Sequence, residues 1–253
     1  SDVYRDADLE HMPGNMAIGH NRYSTAGGLT LENTQPLRVV YRGGALALGH
    51  NGNLTNAREV RSGLEESGSI FQTTLDTEVF LHLMALSGTN DVEEALTEAA
   101  RQVRGAYSIV VLTEQTVIAL RDPHGFRPLC IGRLGDGYVV ASETCAFDLV
   151  GAEFIREVEP GEMVTLDPQG LRSRRALPAA EPLQHCIFEH IYFSRPDSRV
   201  FGDTVDRVRR RLGRELAKEH PADADVVIAV PDSSNSIALG FAESSGVPFE
   251  LGL

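Results

Sequence analysis

No stretch of the 253-residue chain strings together the roughly 20 apolar residues that a helix needs to cross a bilayer. The first ten residues are polar and acidic, so no secretory signal pattern opens the sequence. A soluble protein of the cytoplasm, without a membrane partner, is the expectation. Basic residues are in deficit: 23 Lys and Arg against 36 Asp and Glu leave a net charge of −13. That disfavours nucleic acid, which wants a cationic face. It leaves room for a small anionic substrate, since one local basic pocket suffices. Cysteine is scarce. Cys130, Cys145 and Cys186 stand too far apart for a zinc knuckle, and an odd number without close pairs suits a reducing compartment. Internal repeats and low-complexity tracts are also missing. What is present is 42% hydrophobic, enough to bury the core of one large domain or two smaller ones.

Apolar runs set the expected elements. Residues 15–20 read as a strand that delivers Arg22 at its end, and 26–34, rich in Gly, Thr and Asn, as a loop. Residues 37–41 and 45–48 make a strand pair turned at Gly43-Gly44. Residues 56–64 look helical, with Val60 and Leu64 four apart. A helix over 77–86 buries Val79, Phe80, Leu83 and Met84, with Asp76 placed as its N-cap. The next carries the stripe Val92, Leu96, Ala99 and Val103, capped by Asn90 with Glu93 and stopped by Gly105. The middle is strand-rich: 106–113, 117–121, 128–132, 138–142 and 162–166, the last closed by a turn at Asp167-Pro168-Gln169-Gly170. Ile109, Val111, Ile118 and Leu120 are candidate core residues. Strands, then helices, then strands fit a layered α+β domain. The proline-containing stretch 176–183 reads as a linker. Beyond it, Val205, Val208, Leu212 and Leu216 stripe a helix crowded by Arg207, Arg209, Arg210, Arg211 and Arg214, which read as a solvated cationic face. Residues 225–230 read as a buried strand, and 234–244 as a helix with Ile237, Ala238 and Phe241 on its apolar side.

The stretch Gly49-His50-Asn51-Gly52-Asn53 follows a short apolar strand. Asn-Gly in that place usually makes a hairpin turn. The residues after Asn53 do not alternate like a returning strand, which opens another reading. A strand that ends in Asn-Gly and feeds a helix presents the Asn51 amide and the Gly52 N–H to a ligand, the donors an oxyanion hole needs. Arg22 is either an ordinary strand-end arginine or a fork that clamps a carboxylate with two parallel hydrogen bonds. Asp76 can cap a helix with one oxygen and face an ammonium group with the other. Arg22 and Asp76 together would recognise a zwitterionic amino acid, which neither would do alone.

Three motifs stand in order: His20-Asn21-Arg22-Tyr23-Ser24-Thr25-Ala26-Gly27, the Gly49 to Asn53 stretch, and Thr74-Leu75-Asp76-Thr77-Glu78-Val79. They resemble the glutaminase domain of the class II glutamine amidotransferases, which are N-terminal-nucleophile hydrolases. Ser142-Glu143-Thr144-Cys145-Ala146-Phe147, Val158-Glu159-Pro160-Gly161-Glu162, Ile191-Tyr192-Phe193-Ser194-Arg195-Pro196-Asp197-Ser198 and Val230-Pro231-Asp232-Ser233-Ser234 narrow the resemblance to the amidophosphoribosyltransferases of purine synthesis. The resemblance spans nearly the whole chain. It implies two stacked sheets between two helical layers, αββα, over residues 1–178, and the beginning of an α/β phosphoribosyltransferase domain over 184–253. It implies Arg22 on the α-carboxylate of glutamine with Thr25 beside it, Asp76 on the α-ammonium, and Asn51 and Gly52 on the oxygen of the tetrahedral intermediate. The implied reaction hydrolyses glutamine and passes ammonia to phosphoribosyl pyrophosphate, with Mg2+ accompanying the pyrophosphate substrate, in a homo-oligomer.

The sequence departs from that family at both ends. The family's nucleophile is an N-terminal cysteine whose own α-amine serves as base. No cysteine lies near residue 1, and Ser1-Asp2-Val3 does not resemble the family's opening strand. The pair of adjacent acids in the family's pyrophosphate signature is also missing; Val230-Pro231-Asp232-Ser233 is a different loop. An internal fragment that holds much of the glutamine pocket, and is inactive by itself, is the expectation. Cys186 stands where some members place the first of four ligands to a [4Fe-4S] cluster and others keep a cysteine without one. Both remain open. Cys130 and Cys145 read as small buried hydrophobes. Two rival functions stay in view. One is another class II amidotransferase such as glucosamine-6-phosphate synthase, against which residues 192–198 and the pattern from Asp225 argue. The other is a non-catalytic glutamine-binding protein.

Overall fold

The computed structural model describes residues 14–21 and 30–252. In chain order its elements are β1 (Leu37–Tyr41), β2 (Gly44–Leu54), α1 (Ala57–Glu66), α2 (Thr77–Leu86), α3 (Val92–Gln102), β3 (Gly105–Leu112), β4 (Val117–Arg121), β5 (Cys130–Leu134), β6 (Gly137–Ala141), α4 (Cys145–Val150), β7 (Glu153–Glu157), β8 (Glu162–Asp167), β9 (Gly170–Arg175), β10 (Arg199–Val200), β11 (Asp203–Thr204), α5 (Val205–Glu219) and α6 (Asn235–Ser245). Short helical turns at Leu31–Asn33 and Glu189–Phe193 complete the list. Contacts divide the chain into two units, residues 1–120 with 163–177, and 121–162 with 178–253. No helix among the described residues is long and apolar enough to cross a membrane.

The first unit is built on a six-stranded sheet, ordered β1-β2-β3-β4-β8-β9. β1 on β2, β2 on β3, and β4 on β8 all run antiparallel. Leu46 and Leu48 of β2, Ile109 and Val111 of β3, Ile118 and Leu120 of β4 and Met163 of β8 meet Val79, Phe80, Leu83 and Met84 of α2 and Leu96 and Ala99 of α3 in one core. The four core residues expected on the middle strands are all buried, and they alternate along β3 and β4 as positions on one face of a sheet do.

Several local readings are corrected. The Asn51-Gly52 pair makes no turn. β2 runs through it, held by pairing with β3 from Ala47 opposite Leu112 to Leu54 opposite Gly105. Residues 15–20 belong to no strand. Asp91, not Asn90, caps α3, accepting from Glu93 N and Glu94 N at 2.9 and 3.3 Å. Glu93 does not reach back to the cap. It reaches β8 and β9 instead, accepting from Thr165 Oγ1 at 2.9 Å, Arg172 at 3.2 Å and Arg174 at 3.3 Å. Gly105 does not stop α3, which ends at Gln102 with Val103 as its C-cap; it opens β3 with φ 134°, where a Cβ would press on Asn53 O. β9 escaped the sequence reading because Gly-Leu-Arg-Ser-Arg-Arg is polar and mostly exposed.

In the second unit β5 pairs with β6 on one side and β7 on the other, both antiparallel. β5 starts later than expected because residues 123–129 form a loop. Buried Arg121 donates to Gly125 O, Arg127 O and Val158 O at 3.1, 2.9 and 2.6 Å, while Asp122 accepts from His124 N and Phe126 N. α4 is too short to show a helical period, and β7, Glu-Phe-Ile-Arg-Glu, lacks an apolar run.

The stripe on α5 is also corrected. Val205, Arg209, Gly213 and Ala217 are buried, while Leu212 and Leu216 are 38% and 43% exposed. The neighbour α6 decides this. Gly213 and Gly240 bring the two backbones together so closely that a Cβ on Gly213 would run into Ile237 O, and one on Gly240 into Arg210 O. Small residues four apart on each helix, Gly213 with Ala217 and Ser236 with Gly240, permit that approach. The cationic face is only partly solvated. Arg209 is buried and donates to His190 O and Ser194 O at 2.5 and 2.9 Å, and Arg210 and Arg214 pair with Glu243 at 2.6 and 2.8 Å. Residues 225–230 are not a buried strand. Val227 makes a single parallel bridge to Phe249, and Val226, Ile228 and Val230 are exposed, because a parallel strand is buried only with neighbours on both sides.

Gly213→Ala tests the crossing. Helix propensity alone would reward the change by about 1 kcal/mol. The overlap with Ile237 O should reverse the sign, giving a net loss of about 1–3 kcal/mol in denaturant unfolding. A neutral or stabilised variant would show that the helices do not touch at this point.

Candidate functional site

The site is organised at the C-terminal end of β2. His50, Asn51 and Gly52 stand opposite Ile109, Ser108 and Tyr107 of β3. Successive side chains alternate across the sheet, so His50 takes the core side and Asn51 the other. His50 is 4% exposed and braced on three sides. Its N–H donates to Gln35 Oε1 at 2.8 Å. Its Nε2 lies 3.2 Å from Ala106 O and its Nδ1 3.2 Å from Thr77 Oγ1. A carbonyl only accepts, so Nε2 carries a proton, and in the neutral ring Nδ1 accepts from the threonine. The ring also meets the edge of Phe80, which in turn meets Tyr107.

Gly52 must be glycine for two reasons. Its φ is 154°, and a Cβ there would run into Ala106 O and come within 2.8 Å of His50 Nε2. A side chain would push β2 off β3 or displace the histidine, and either would move the Gly52 N–H and the Asn51 amide.

Asp76 stands at the start of α2, but its side chain makes no capping bond. Its backbone is already helical (φ −65°, ψ −27°), which is not the extended conformation of an N-cap. The carboxylate reaches β2 instead. Oδ2 accepts from Leu54 N at 2.8 Å, and Oδ1 lies 3.8 Å from His50 Nδ1. The structure therefore brings Asp76 to the strand that carries Asn51 and Gly52. Arg22 and Thr25 lie outside the described residues. The sequence reading missed the supporting side chains Gln35, His50, Thr77 and Glu78, and the buried Asn33. Thr77 and Glu78 follow Asp76 directly, which was the one signal available for them.

None of the three cysteines is placed as a nucleophile. Burial pushes the Cys130 thiol up to about 12, and its Sγ donates to Ala141 O at 3.2 Å. Burial also raises Cys145. Cys186 is half-buried, 3.9 Å from Arg127 Nη1, with its N–H donating to Phe126 O. Among the described residues no three His, Cys, Asp or Glu side chains stand together as metal ligands. One thiolate cannot hold an iron–sulfur cluster, so Cys186 could supply no more than one of its ligands.

A profile of the glutamine amidotransferase domain matches residues 20–148. The chain is 52% identical to amidophosphoribosyltransferase 1, chloroplastic, of Arabidopsis thaliana, over all of this chain and 45% of that protein. It is 49% identical to the amidophosphoribosyltransferase of Bacillus subtilis, over all of this chain and 53% of that one. The chain thus spans about half the length of the curated relatives it matches. Among solved structures, the glutamine phosphoribosylpyrophosphate amidotransferase of B. subtilis complexed with ADP and GMP aligns at TM-score 0.85 and 48% identity, over 92% of this chain and 50% of that one. A second, titled the allosteric regulatory enzyme of purine biosynthesis, aligns at TM-score 0.86 and 50% identity over the same shares. At these values the likeness covers the fold, an α+β arrangement with antiparallel sheets of the N-terminal-nucleophile hydrolase kind.

Gly52→Ala should lower stability by about 2 kcal/mol or more, through overpacking against the β3 backbone. Asn51→Ala, on a half-exposed side chain, should stay within about 1 kcal/mol. Denaturant unfolding of the two variants decides. Equal midpoints would mean that Gly52 does not sit against Ala106.

Proposed function

The chain belongs to the glutamine amidotransferase family, and from that premise we propose that it carries the glutamine pocket of an enzyme that moves ammonia from glutamine to phosphoribosyl pyrophosphate. The product is 5-phosphoribosylamine, in purine synthesis. In this reading residues 1–178 belong to the glutaminase domain and 184–253 open a phosphoribosyltransferase domain of a longer, cytoplasmic protein. Mg2+ enters with the pyrophosphate substrate, and Cys186 remains the single candidate here for a cluster ligand in the whole protein.

The observation that carries the reading is the reach of Asp76 onto the end of β2. One oxygen is held by Leu54 N, and the other, 3.8 Å from His50 Nδ1, is the one offered to an ammonium group in this reading. Arg22 takes the α-carboxylate, with the Thr25 hydroxyl next to it. An acid at one end and a guanidinium at the other select a zwitterion and orient its side-chain amide. The Asn51 amide and the Gly52 N–H then face the oxygen that becomes negative when the amide carbon turns tetrahedral, and they stabilise that charge more than the ground-state carbonyl. The nucleophile is assigned to none of the three cysteines of this chain.

The test uses the full-length protein. Arg22→Ala should lower glutamine-dependent kcat/KM by roughly 30- to 1000-fold, since the substrate carboxylate loses its fork. Asp76→Asn should raise the glutamine KM by roughly 10- to 100-fold. Synthesis from free ammonia bypasses the pocket and should stay within about threefold in both. Equal loss of both activities would assign these residues to the fold. Retained glutamine activity would withdraw the pocket.

A further inference from the structure

We propose that Asn33 and Glu78 are positioning residues that hold 72–75 as a rigid seat for Asp76, and thereby fix where the substrate ammonium binds. The inference rests on the functional reading above for what Asp76 binds.

Residues 72–75 belong to no helix or strand, yet each of their four backbone N–H groups has a partner, and every partner is a side chain. Gln72 N and Thr73 N donate to the two oxygens of Glu78, each at 2.8 Å. Thr74 N donates to Asn33 Oδ1 at 3.0 Å, and Leu75 N to Thr73 Oγ1 at 3.1 Å. The side chains are locked in turn. Thr73 Oγ1 donates to Glu78 at 2.7 Å, Asn33 Nδ2 donates to Thr74 Oγ1 at 2.9 Å, and Arg61 Nη1 holds Thr73 O at 2.9 Å.

Asn33 is 2% exposed and Glu78 6%. Burying an amide and a carboxylate costs free energy unless their hydrogen bonds are made, and here a four-residue segment makes them. Asp76 is the next residue in the chain. A carboxylate that must meet an ammonium group within a fraction of an ångström needs its backbone fixed by such a surrounding shell.

Thr74→Val in the full-length protein removes the hydroxyl with little change of shape and leaves the backbone bond to Asn33. The glutamine KM should rise about 5- to 20-fold with kcat nearly unchanged, while Thr74→Ser, which keeps the hydroxyl, stays within about twofold. Asn33→Ser removes the amide from the other side of the same bond and gives an independent result should Thr74→Val fail to fold. A lower unfolding midpoint with an unmoved KM in the folded variants would overturn the proposal, since that is what a merely structural role predicts. Asp76→Asn, measured alongside, separates the two claims. A KM raised in Asp76→Asn but unmoved in Thr74→Val overturns the seat alone. A KM unmoved in Asp76→Asn withdraws the functional reading and the seat with it.

Discussion

The hydrogen bond from Leu54 N to Asp76 Oδ2 joins the end of β2 to the beginning of α2. It is charge-assisted, so it is stronger than a bond between neutral groups. It also explains why α2 begins without a side-chain cap: the residue in the capping position spends its carboxylate on the strand. Around this bond the neighbours fall into place. His50 spans from Thr77 on the helix to Ala106 on the next strand, and the Phe80 and Tyr107 rings close behind it. Asn51 and Gly52 are set by the strand, and the strand end is set by the aspartate.

Both units depend on backbone meeting backbone without side chains between. At Gly52 the strand leaves no room for a Cβ against Ala106 O, and at Gly105 none against Asn53 O. In the second unit the same constraint brings α5 onto α6 at Gly213 and Gly240. In each place a glycine is fixed by a neighbour far away in sequence rather than by a local turn. Gly52 therefore invited misreading as half of a hairpin signal.

The candidate site could be proposed from the sequence because its residues fall in three short motifs, and the helix carrying Val79, Phe80, Leu83 and Met84 shows its buried side in the sequence alone. What was not legible depended on partners. The strand nature of Asn51-Gly52 follows from β3, fifty-odd residues on, and no local propensity announces it. Asp76 looked like a cap because Asp before a helix usually is one, and only the position of Leu54 redirects it. On α5 the apolar stripe Val208, Leu212, Leu216 lost to Arg209 and Gly213, because closeness to α6 favoured the smallest residues and the buried arginine found two carbonyls. Residues 225–230 have the composition of a buried strand, but burial needs neighbours on both sides.

The four amides of 72–75 are held by side chains that stand as much as 41 residues away in the sequence. In folding terms such a segment has no structure of its own. It cannot form until the Leu31–Asn33 turn and α2 have been brought together. No ladder passes through these residues, yet releasing them would draw Leu75 out of the core and leave the buried Asn33 and Glu78 side chains without the hydrogen bonds they make. The seat of the acidic residue is therefore tied to the same buried groups that hold the core together, although no strand or helix runs through it.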